Sequence, residues 1–185
     1  MVRDTALLII DMQVGAFEAP EPVFDGLGLL TRIHTLIHLA RTAQFPIVYV
    51  QHQEPPGGRF EPHTPTWTLH PTIAPRPDDL VIHKSTLDAF THTSLDQELQ
   101  ARQIEALIVT GIVTEHSYSA TVHQAIHHHY HVTVVTDGHT TYGTPFLPAS
   151  EVIAAYNTYV FAALATLHAS HEIRFGEQAG SGGEA

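Results

Sequence analysis

The amino-acid sequence predicts one α/β domain: a doubly wound, mostly parallel sheet of about six strands with helices on both faces. Its 185 residues match the usual size of a single domain, and a hydrophobic content of 43% is sufficient for one core. Short apolar runs rich in valine and isoleucine show no polar alternation, which is typical of strands buried on both faces of a parallel sheet. Segments with helical spacing separate these runs. This alternation predicts right-handed crossovers and a ligand site at the carboxyl ends of the strands.

Five strands follow from the apolar runs, in residues 6–10, 46–50, 80–82, 106–110 and 132–136. Four helices are predicted between or after them. The first follows Asp25, an expected N-cap, because apolar residues recur at three- and four-residue steps from 29 to 40. The second extends from Ser94 to about residue 102, and Ser94 with Gln97 resembles a capping box. The other two are predicted in residues 117–129 and 149–168.

Residues 53–77 depart from this pattern, since they hold seven of the 12 prolines. They predict a long irregular loop next to the ligand-binding edge of the sheet, and loops of that length in a compact domain are usually functional. The Gly-rich, polar stretch 176–185 predicts a disordered tail. We therefore expect one domain in residues 1–175.

Composition limits the function classes. A formal net charge of -11 disfavours binding to nucleic acid or to an anionic membrane. No cysteine is present, which excludes disulfides, thiolate metal sites and cysteine nucleophiles. No run approaches the roughly 20 apolar residues of a membrane helix, and the N-terminal residues carry no cleavage signal. We expect a soluble, cytoplasmic protein that acts on a small molecule, with neither nucleic acid nor membrane as partner.

Two charged residues end predicted strands. Asp11 directly follows the first run, and Lys84 closely follows the third. A lysine beside a carboxylate at the ligand-binding edge suits a catalytic ion pair in which each group shifts the pKa of the other. A strand-end aspartate often only satisfies turn amides, and most lysines are solvated, so position alone leaves both structural roles open.

A third feature is the turn of residues 109–121, where a strand ends at Gly111 and a helix begins near Ser117. A nucleophile at a helix N-terminus gains from free backbone N–H groups that stabilise developing negative charge. The simpler alternative is that Ser117 or Thr114 only caps the helix.

Together, three segments resemble isochorismatase-like hydrolases of the cysteine hydrolase type. They are Ile10-Asp11-Met12-Gln13, His83-Lys84 with Asp88-Ala89-Phe90 and Thr93, and Gly111-Ile112-Val113-Thr114-Glu115 leading to Thr121. The similarity covers about residues 6–167 and includes Trp67-Thr68-Leu69-His70-Pro71 and Asp137-Gly138-His139-Thr140-Thr141.

This resemblance implies a catalytic set of Asp, Lys and Cys, which falls on Asp11, Lys84 and Ser117. It also implies a cis peptide between Ile112 and Val113, which would direct the backbone N–H groups of Val113 and Ser117 at a substrate carbonyl as an oxyanion site. The family further suggests a homo-oligomer, for which the apolar face of residues 152–167 is one contact.

Serine at the cysteine position leaves three interpretations open, because a hydroxyl is far less acidic than a thiol and needs a well-placed general base. Ser117 is an engineered replacement of cysteine, a natural serine in an active enzyme, or part of a non-catalytic binding protein. The leading function is hydrolysis of a small-molecule amide or related C–N bond through an acyl-enzyme at residue 117. The alternative enzyme is an isochorismatase-type vinyl ether hydrolase that uses Asp11 as acid without a nucleophile.

No metal or other cofactor is predicted. Nicotinamidases of this superfamily carry an Asp-x-His metal motif where this chain has Gln51-His52-Gln53, and one candidate ligand is insufficient. The histidines at 127–129 and 131 suit a solvated helix end. We expect an apolar, aromatic substrate pocket in which His52 donates a hydrogen bond to substrate. Its other expected members, each equally acceptable as core, are Phe17, Trp67, His116 and Tyr118.

Overall fold

The computed structural model describes residues 4–18 and 20–175 and contains, in that part of the chain, one six-stranded parallel sheet. The strands are β1 (Thr5–Ile10), β2 (Ile47–His52), β3 (Leu80–Lys84), β4 (Ala106–Ile112), β5 (His131–Thr140) and β6 (Thr166–His168). Their order is β3-β2-β1-β4-β5-β6, and every neighbouring pair is parallel. The predicted fold class is confirmed. The order reverses between β1 and β4, which is where doubly wound sheets bind ligands.

The sheet separates two hydrophobic cores because successive side chains of each strand point to opposite faces. Leu7 and Ile9 of β1 pack against the helix α1 (Gly26–Thr42). Leu8 and Ile10 face the other core, which also holds apolar residues of α2 (Leu95–Ala101) and α3 (Ser119–His127). All four β1 side chains are fully buried, and each contributes about 1.5–3 kcal/mol to folding.

The predicted fourth helix is wrong over its second half. α4 (Ala149–Ala155) continues as a wide π-helical turn, Tyr156–Val160, and a short 3₁₀ turn, Phe161–Ala163, before the chain enters β6. Residues 149–168 contain neither glycine nor proline, so no turn signal interrupts their helical spacing. Leu167 nevertheless pairs with Val134 of β5, so residues 166–168 form a strand at the sheet edge and not the end of a helix. On the preceding turns Tyr159 is 80% exposed, and the homo-oligomer contact expected in this region stays a prediction.

Asp25 and Ser94 are the N-cap residues of their helices, as predicted, but neither side chain makes a capping hydrogen bond. Asp25 has left-handed backbone geometry, and its carboxylate binds Arg32 at 2.8 Å. Ser94 makes no cap hydrogen bond, and the hydroxyl of Thr93 instead accepts from the backbone N–H of Leu95. The predicted capping box of Ser94 and Gln97 is therefore wrong.

The long loop of residues 53–77 holds only the short 3₁₀ turns Pro65–Trp67 and Pro71–Ile73, as the proline-rich sequence predicts. It folds back onto the segment after β1. Val14 N–H donates to the Thr68 carbonyl at 2.8 Å, and His70 N–H donates to the Met12 carbonyl at 2.9 Å. The loop thus covers the carboxyl edge of the sheet beside Asp11.

The expected disordered tail, 176–185, lies outside the described residues. Within 4–18 and 20–175, the helices are too short or too polar to cross a membrane. The cytoplasmic location stays a prediction.

Candidate active site

Asp11 lies where β1 ends, next to the first residue of the turn after β4. Its backbone has a φ of 54°, a left-handed geometry that aspartate tolerates better than most residues. Gly111, paired with Ile10, has a φ of 130°, and a Cβ there would lie 2.2 Å from the Ile10 carbonyl oxygen. Only glycine fits this approach. The close contact brings the Asp11 carboxylate near the turn that follows β4.

Lys84, the only lysine of the chain, is 1% exposed at the end of β3. Its Nζ lies 2.9 Å from Asp11 Oδ2 and 2.8 Å from Ser117 Oγ. Its other partners are the carbonyl oxygens of Thr86 and Leu87, at 3.1 and 3.2 Å, and His52 Nδ1, at 3.4 Å. An ammonium has three donor hydrogens and no acceptor, so these oxygens satisfy all of them and hold the buried cation in place.

Ser117 is half-buried, and its hydroxyl has a partner on each side. Oγ accepts from Lys84 Nζ and donates to the Leu87 carbonyl at 3.0 Å. Asp11, Lys84 and Ser117 are therefore brought together as the sequence predicts, with the lysine between the carboxylate and the hydroxyl. Asp11 Oδ1, in contrast, is buried and has no hydrogen-bond partner among the described residues.

The turn that carries Ser117 is not regular helix. The peptide bond between Ile112 and Val113 is cis. The Val113 carbonyl accepts from the N–H groups of His116, at 3.0 Å, and Tyr118, at 3.2 Å. His116 has non-helical backbone angles, φ -116° and ψ -111°, so residues Thr114–Tyr118 form a wide turn. The regular helix α3 starts at Ser119, two residues later than expected.

The loop after β3 supplies the carbonyl groups around Lys84. Thr86 Oγ1 donates to the carbonyls of Asp88 and Thr91, both at 3.0 Å. The Ala89 N–H donates to the buried hydroxyl of Thr121 on α3 at 3.1 Å. These bonds fix the loop against α3, which explains why the Leu87 carbonyl points at the Ser117 hydroxyl.

A buried network on the other side of the turn had no predicted role. Thr114 Oγ1 lies 2.9 Å from His139 Nδ1, and His139 Nε2 lies 3.0 Å from Asn157 Oδ1. Asn157 Nδ2 donates to the Thr136 carbonyl, which directs its Oδ1 at the imidazole. His139 Nε2–H therefore donates to Asn157, and Nδ1 accepts from the Thr114 hydroxyl. The sequence pointed to this network only through segment 137–141, which belongs to the family resemblance. In the structure β5 extends into that segment, beyond its predicted end.

Burial keeps this imidazole neutral. His139 is 2% exposed, its ring stacks on Tyr118 with 4.7 Å between centroids, and Phe161 meets it edge-on. Desolvation lowers the pKa of His139 to about 4, although the hydrogen bond to Asn157 and the charge of Asp137 oppose the shift. The Thr114–His139–Asn157 chain is neutral at physiological pH, and all its hydrogen bonds are satisfied.

Three of the expected pocket residues lie around the long loop. Phe17 is half-buried and meets the His70 ring edge-on at 5.0 Å. The Trp67 carbonyl accepts from Gln13 Nε2 and Gln51 Nε2, both at 2.8 Å. His52 Nδ1 lies 3.4 Å from Lys84 Nζ. Burial and then the charge of Lys84 hold the pKa of His52 below its usual value, so the ring is neutral beside the cation.

The two expected pocket residues that flank Ser117 differ in position. His116 is exposed, so it is accessible to a bound molecule. Tyr118 is 0% exposed, its hydroxyl donates to the Val109 carbonyl at 2.9 Å, and its ring packs in the core against His139 and Phe161. We therefore assign Tyr118 to the core and not to the substrate pocket. The spacing of a regular helix could not predict which of these side chains is buried, because residues Thr114–Tyr118 form a wide turn.

The histidine-rich segment lies at the end of α3 and the start of β5. The ring of His128 stacks on Phe90 with 4.8 Å between centroids, and its Nδ1 lies 3.5 Å from Asp96 Oδ1. In residues 4–18 and 20–175, no three His, Cys, Asp or Glu side chains are arranged to hold a metal ion.

Comparisons with known proteins identify the family of this chain. The family model described as the isochorismatase domain matches residues 5–166. Streptothricin hydrolase from Streptomyces noursei is 34% identical over 143 residues, which are 77% of this chain and 52% of that protein. The chain thus spans about half the length of this curated relative.

Two further proteins cover more similar lengths. Ureidoacrylate amidohydrolase RutB from Variovorax paradoxus is 27% identical over 72% of this chain and 68% of its own. The crystal structure of an isochorismatase from Pseudomonas putida is 27% identical, superposes with a TM-score of 0.86, and covers 93% of this chain and 91% of its own. Since the family model spans β1 to the start of β6, the chain belongs to the isochorismatase family.

Proposed function

We propose that this protein hydrolyses the C–N bond of a small-molecule amide through an acyl-enzyme on Ser117. The observation that carries the proposal is the position of Lys84 Nζ, which lies 2.9 Å from the Asp11 carboxylate and 2.8 Å from the Ser117 hydroxyl. The names of two relatives, a streptothricin hydrolase and an amidohydrolase, support hydrolytic chemistry of this kind.

In the first half of the reaction, Ser117 Oγ bonds to the substrate carbonyl carbon. The hydroxyl proton moves to Asp11 Oδ1, which has no other partner among the described residues. The backbone N–H groups of Val113 and Ser117 hold the oxyanion. Asp11 then gives the proton to the nitrogen, the C–N bond breaks, and the amine leaves.

In the second half, water attacks the acyl ester. Asp11 takes a proton from the water and returns one to Ser117 Oγ as the ester bond breaks, which releases a carboxylic acid. Lys84 stays in place throughout, because its ammonium group is held by Asp11, Ser117 and the loop carbonyls. Its charge stabilises the negative charge that develops on Ser117 Oγ during attack.

Under this proposal, serine is expected to be a slow nucleophile in this site. Its hydrogen donates to the Leu87 carbonyl, so the hydroxyl must rotate before Asp11 receives the proton. A thiol has a much lower pKa and is ionised by a neighbouring cation without a strong base. The same site with cysteine at residue 117 is therefore expected to react faster.

A second candidate is vinyl ether hydrolysis without a protein nucleophile. It is favoured by one observation, the contrast between the fully bonded Ser117 hydroxyl and the unpartnered Asp11 Oδ1. In this reaction the protonated Asp11 carboxyl gives its proton to the vinyl carbon, and water adds to the resulting oxocarbenium ion and returns a proton to Asp11. The ether C–O bond of the hemiketal then breaks, which releases a carbonyl compound and an alcohol.

Four proteins distinguish these functions: the wild type and the Ser117→Cys, Ser117→Ala and Asp11→Asn variants. Ammonia or amine release from a panel of small amides is measured, together with cleavage of isochorismate. The amide hydrolase predicts that Ser117→Cys raises amide turnover by about tenfold or more, and that Ser117→Ala and Asp11→Asn abolish it. Mass spectrometry of Ser117→Cys mixed with substrate should show an acyl adduct. Ser119→Cys is the matched control, since its hydroxyl contacts His123 and not Lys84.

Other outcomes contradict the amide hydrolase. Isochorismate cleavage that survives Ser117→Ala and disappears in Asp11→Asn assigns the site to the vinyl ether reaction. Binding of amides without turnover by the wild type or by Ser117→Cys indicates a non-catalytic protein.

A further inference from the structure

A cleft of about 480 Å³ lies at the edge of the sheet opposite Ser117. It is bordered by the first residues of β2 and β3, Ile47, Val48 and Leu80, whereas Ser117 follows the carboxyl end of β4. Three of the seven arginines of the chain line it: Arg41, Arg76 and Arg102. This concentration of cations is unusual in a chain with a formal charge of -11.

The cations differ in how far their charge is compensated. Arg41 binds Asp79 Oδ2 at 2.6 Å, and Arg102 pairs with Glu98 on α2. Asp79 Oδ2 also accepts from the backbone N–H of Arg76 at 2.7 Å. The guanidinium of Arg76 is exposed and makes no hydrogen bond or ion pair with any residue that the structure describes. The exposed carboxylate of Asp78 also lines the cleft.

Two buried donors beside the cleft have no acceptor within the described chain. They are Arg41 Nε and the hydroxyl of Tyr49, whose ring is 0% exposed. Tyr49 lies on the same face of β2 as Ile47, and its hydroxyl is within electrostatic reach of Arg41, Arg76 and Asp79. Burial raises its pKa, so the group stays protonated. A buried donor without a partner is destabilising, and a ligand oxygen placed at Arg41 Nε would relieve part of that cost.

Apart from Gln44, the remaining walls are apolar. Phe45, Pro46, Ile47 and Leu80 line the cleft beside the arginines. The volume falls in the range of small-molecule sites, about 300–1,000 Å³, and exceeds the need of a single inorganic ion. Ligand pockets of this kind combine an apolar wall with a few oriented polar groups.

We propose that this cleft is a second binding site, which takes a small organic anion. The phosphate or carboxylate oxygens of the ligand lie on the Arg76 guanidinium, with the Arg41 side chain, which also lines the cleft, as a further donor. Its apolar body packs on Phe45 and Leu80. A guanidinium presents paired N–H donors that match both oxyanions, so one site chemistry serves either group.

The test uses the full chain and isothermal titration calorimetry at constant ionic strength. Phenyl phosphate and benzoate are the organic probes, and inorganic phosphate is the probe without an apolar body. The wild type should bind at least one organic probe more tightly than inorganic phosphate. Arg76→Gln should weaken that binding by about tenfold or more, which corresponds to loss of a charge-assisted hydrogen bond. Preference between the two organic probes identifies the oxyanion.

Two further variants control for changes outside the cleft. Tyr49→Phe removes a fully buried hydroxyl that does not line the cleft, and should leave binding unchanged. Arg59→Gln removes an exposed arginine of the long loop, which does not line the cleft and whose side chain donates to the Glu18 carbonyl at 3.4 Å, and should leave binding unchanged. The proposal is overturned if neither organic probe binds, if inorganic phosphate binds as tightly as they do, or if Arg59→Gln weakens binding as much as Arg76→Gln.

Discussion

Two buried polar clusters meet at the turn Thr114–Tyr118. They differ in charge and in how completely their hydrogen-bonding atoms are paired. On one side, Lys84 and Asp11 form an ion pair that contacts Ser117. On the other side, Thr114, His139 and Asn157 form a neutral chain in which the donors and acceptors match. The charged cluster retains one unpartnered atom, Asp11 Oδ1, whereas no atom of the neutral chain is left unpartnered within the described residues.

The contrast fits the proposed function, in which the charged cluster reacts with substrate and the neutral cluster supports the turn. An unpartnered carboxylate oxygen beside a fixed cation is costly in the resting protein and is useful only when a substrate arrives. A saturated neutral network stabilises the conformation of the turn without reacting. Variants that remove one member of each cluster should therefore fail in different ways.

Lys84→Met should give the largest effect. It leaves the Asp11 carboxylate in a buried site without its cation, and breaking a buried pair in this way costs about 3–5 kcal/mol of unfolding free energy. Urea denaturation measures the loss, and hydrolytic activity should disappear as well. A loss below about 1 kcal/mol would show that the pair is solvated and not buried.

The double variant Asp11→Asn/Lys84→Met is the control for this prediction. It removes both charges, and asparagine accepts the left-handed backbone of residue 11. Its stability should lie closer to the wild type than that of Lys84→Met, since no uncompensated charge remains. Activity should stay absent. The two measurements together separate the cost of burying a charge from the loss of a reacting group.

His139→Gln tests the neutral cluster through its pH dependence. The pKa of His139 is about 4 in the folded protein, against the ordinary histidine value of 6.5 in the unfolded chain. Between these values the unfolded state binds the proton and the folded state does not, so stability falls as the pH falls from 6.5 to 4. The full contribution is present above pH 6.5, and the loss amounts to about 3 kcal/mol.

Glutamine has no titrating group, so the variant should lose about 3 kcal/mol less than the wild type over this interval. The difference in unfolding free energy between the two proteins, measured at several pH values, removes the contributions of the other histidines. His131→Gln is the control, because His131 is exposed at the start of β5. Parallel pH curves for the wild type and His139→Gln would contradict the neutral assignment.

Much of the charged cluster was predictable from sequence. Buried parallel strands appear as uninterrupted runs of valine, isoleucine and leucine, so the ends of β1 and β3 located Asp11 and Lys84. Family resemblance then identified Ser117. The Leu87 carbonyl was not predictable, since the direction of a backbone carbonyl in a loop leaves no side-chain signal.

The neutral cluster was not predicted, because its residues lie in elements whose local sequence pattern predicts a different structure. Asp137 and Gly138 hide the continuation of β5 to His139, and the helical spacing of residues 149–168 hides the π-helical turn that carries Asn157. The same spacing hides β6, a three-residue edge strand that depends on its neighbour β5. Tertiary pairing overrides local pattern in each case.

Tyr118→Phe should give the smallest effect. The variant tests whether the Tyr118 hydroxyl lies in the core or contacts substrate. The variant keeps the ring that stacks on His139 and removes only the hydrogen bond to the Val109 carbonyl. Loss of a buried neutral hydrogen bond costs about 1 kcal/mol, and urea denaturation should show a decrease of this size. Because Tyr118 is fully buried, the KM for any amide that the wild type hydrolyses should not change. A raised KM with unchanged stability would instead place the Tyr118 hydroxyl in contact with substrate, and would extend the reactive side of the turn into what the structure shows as core.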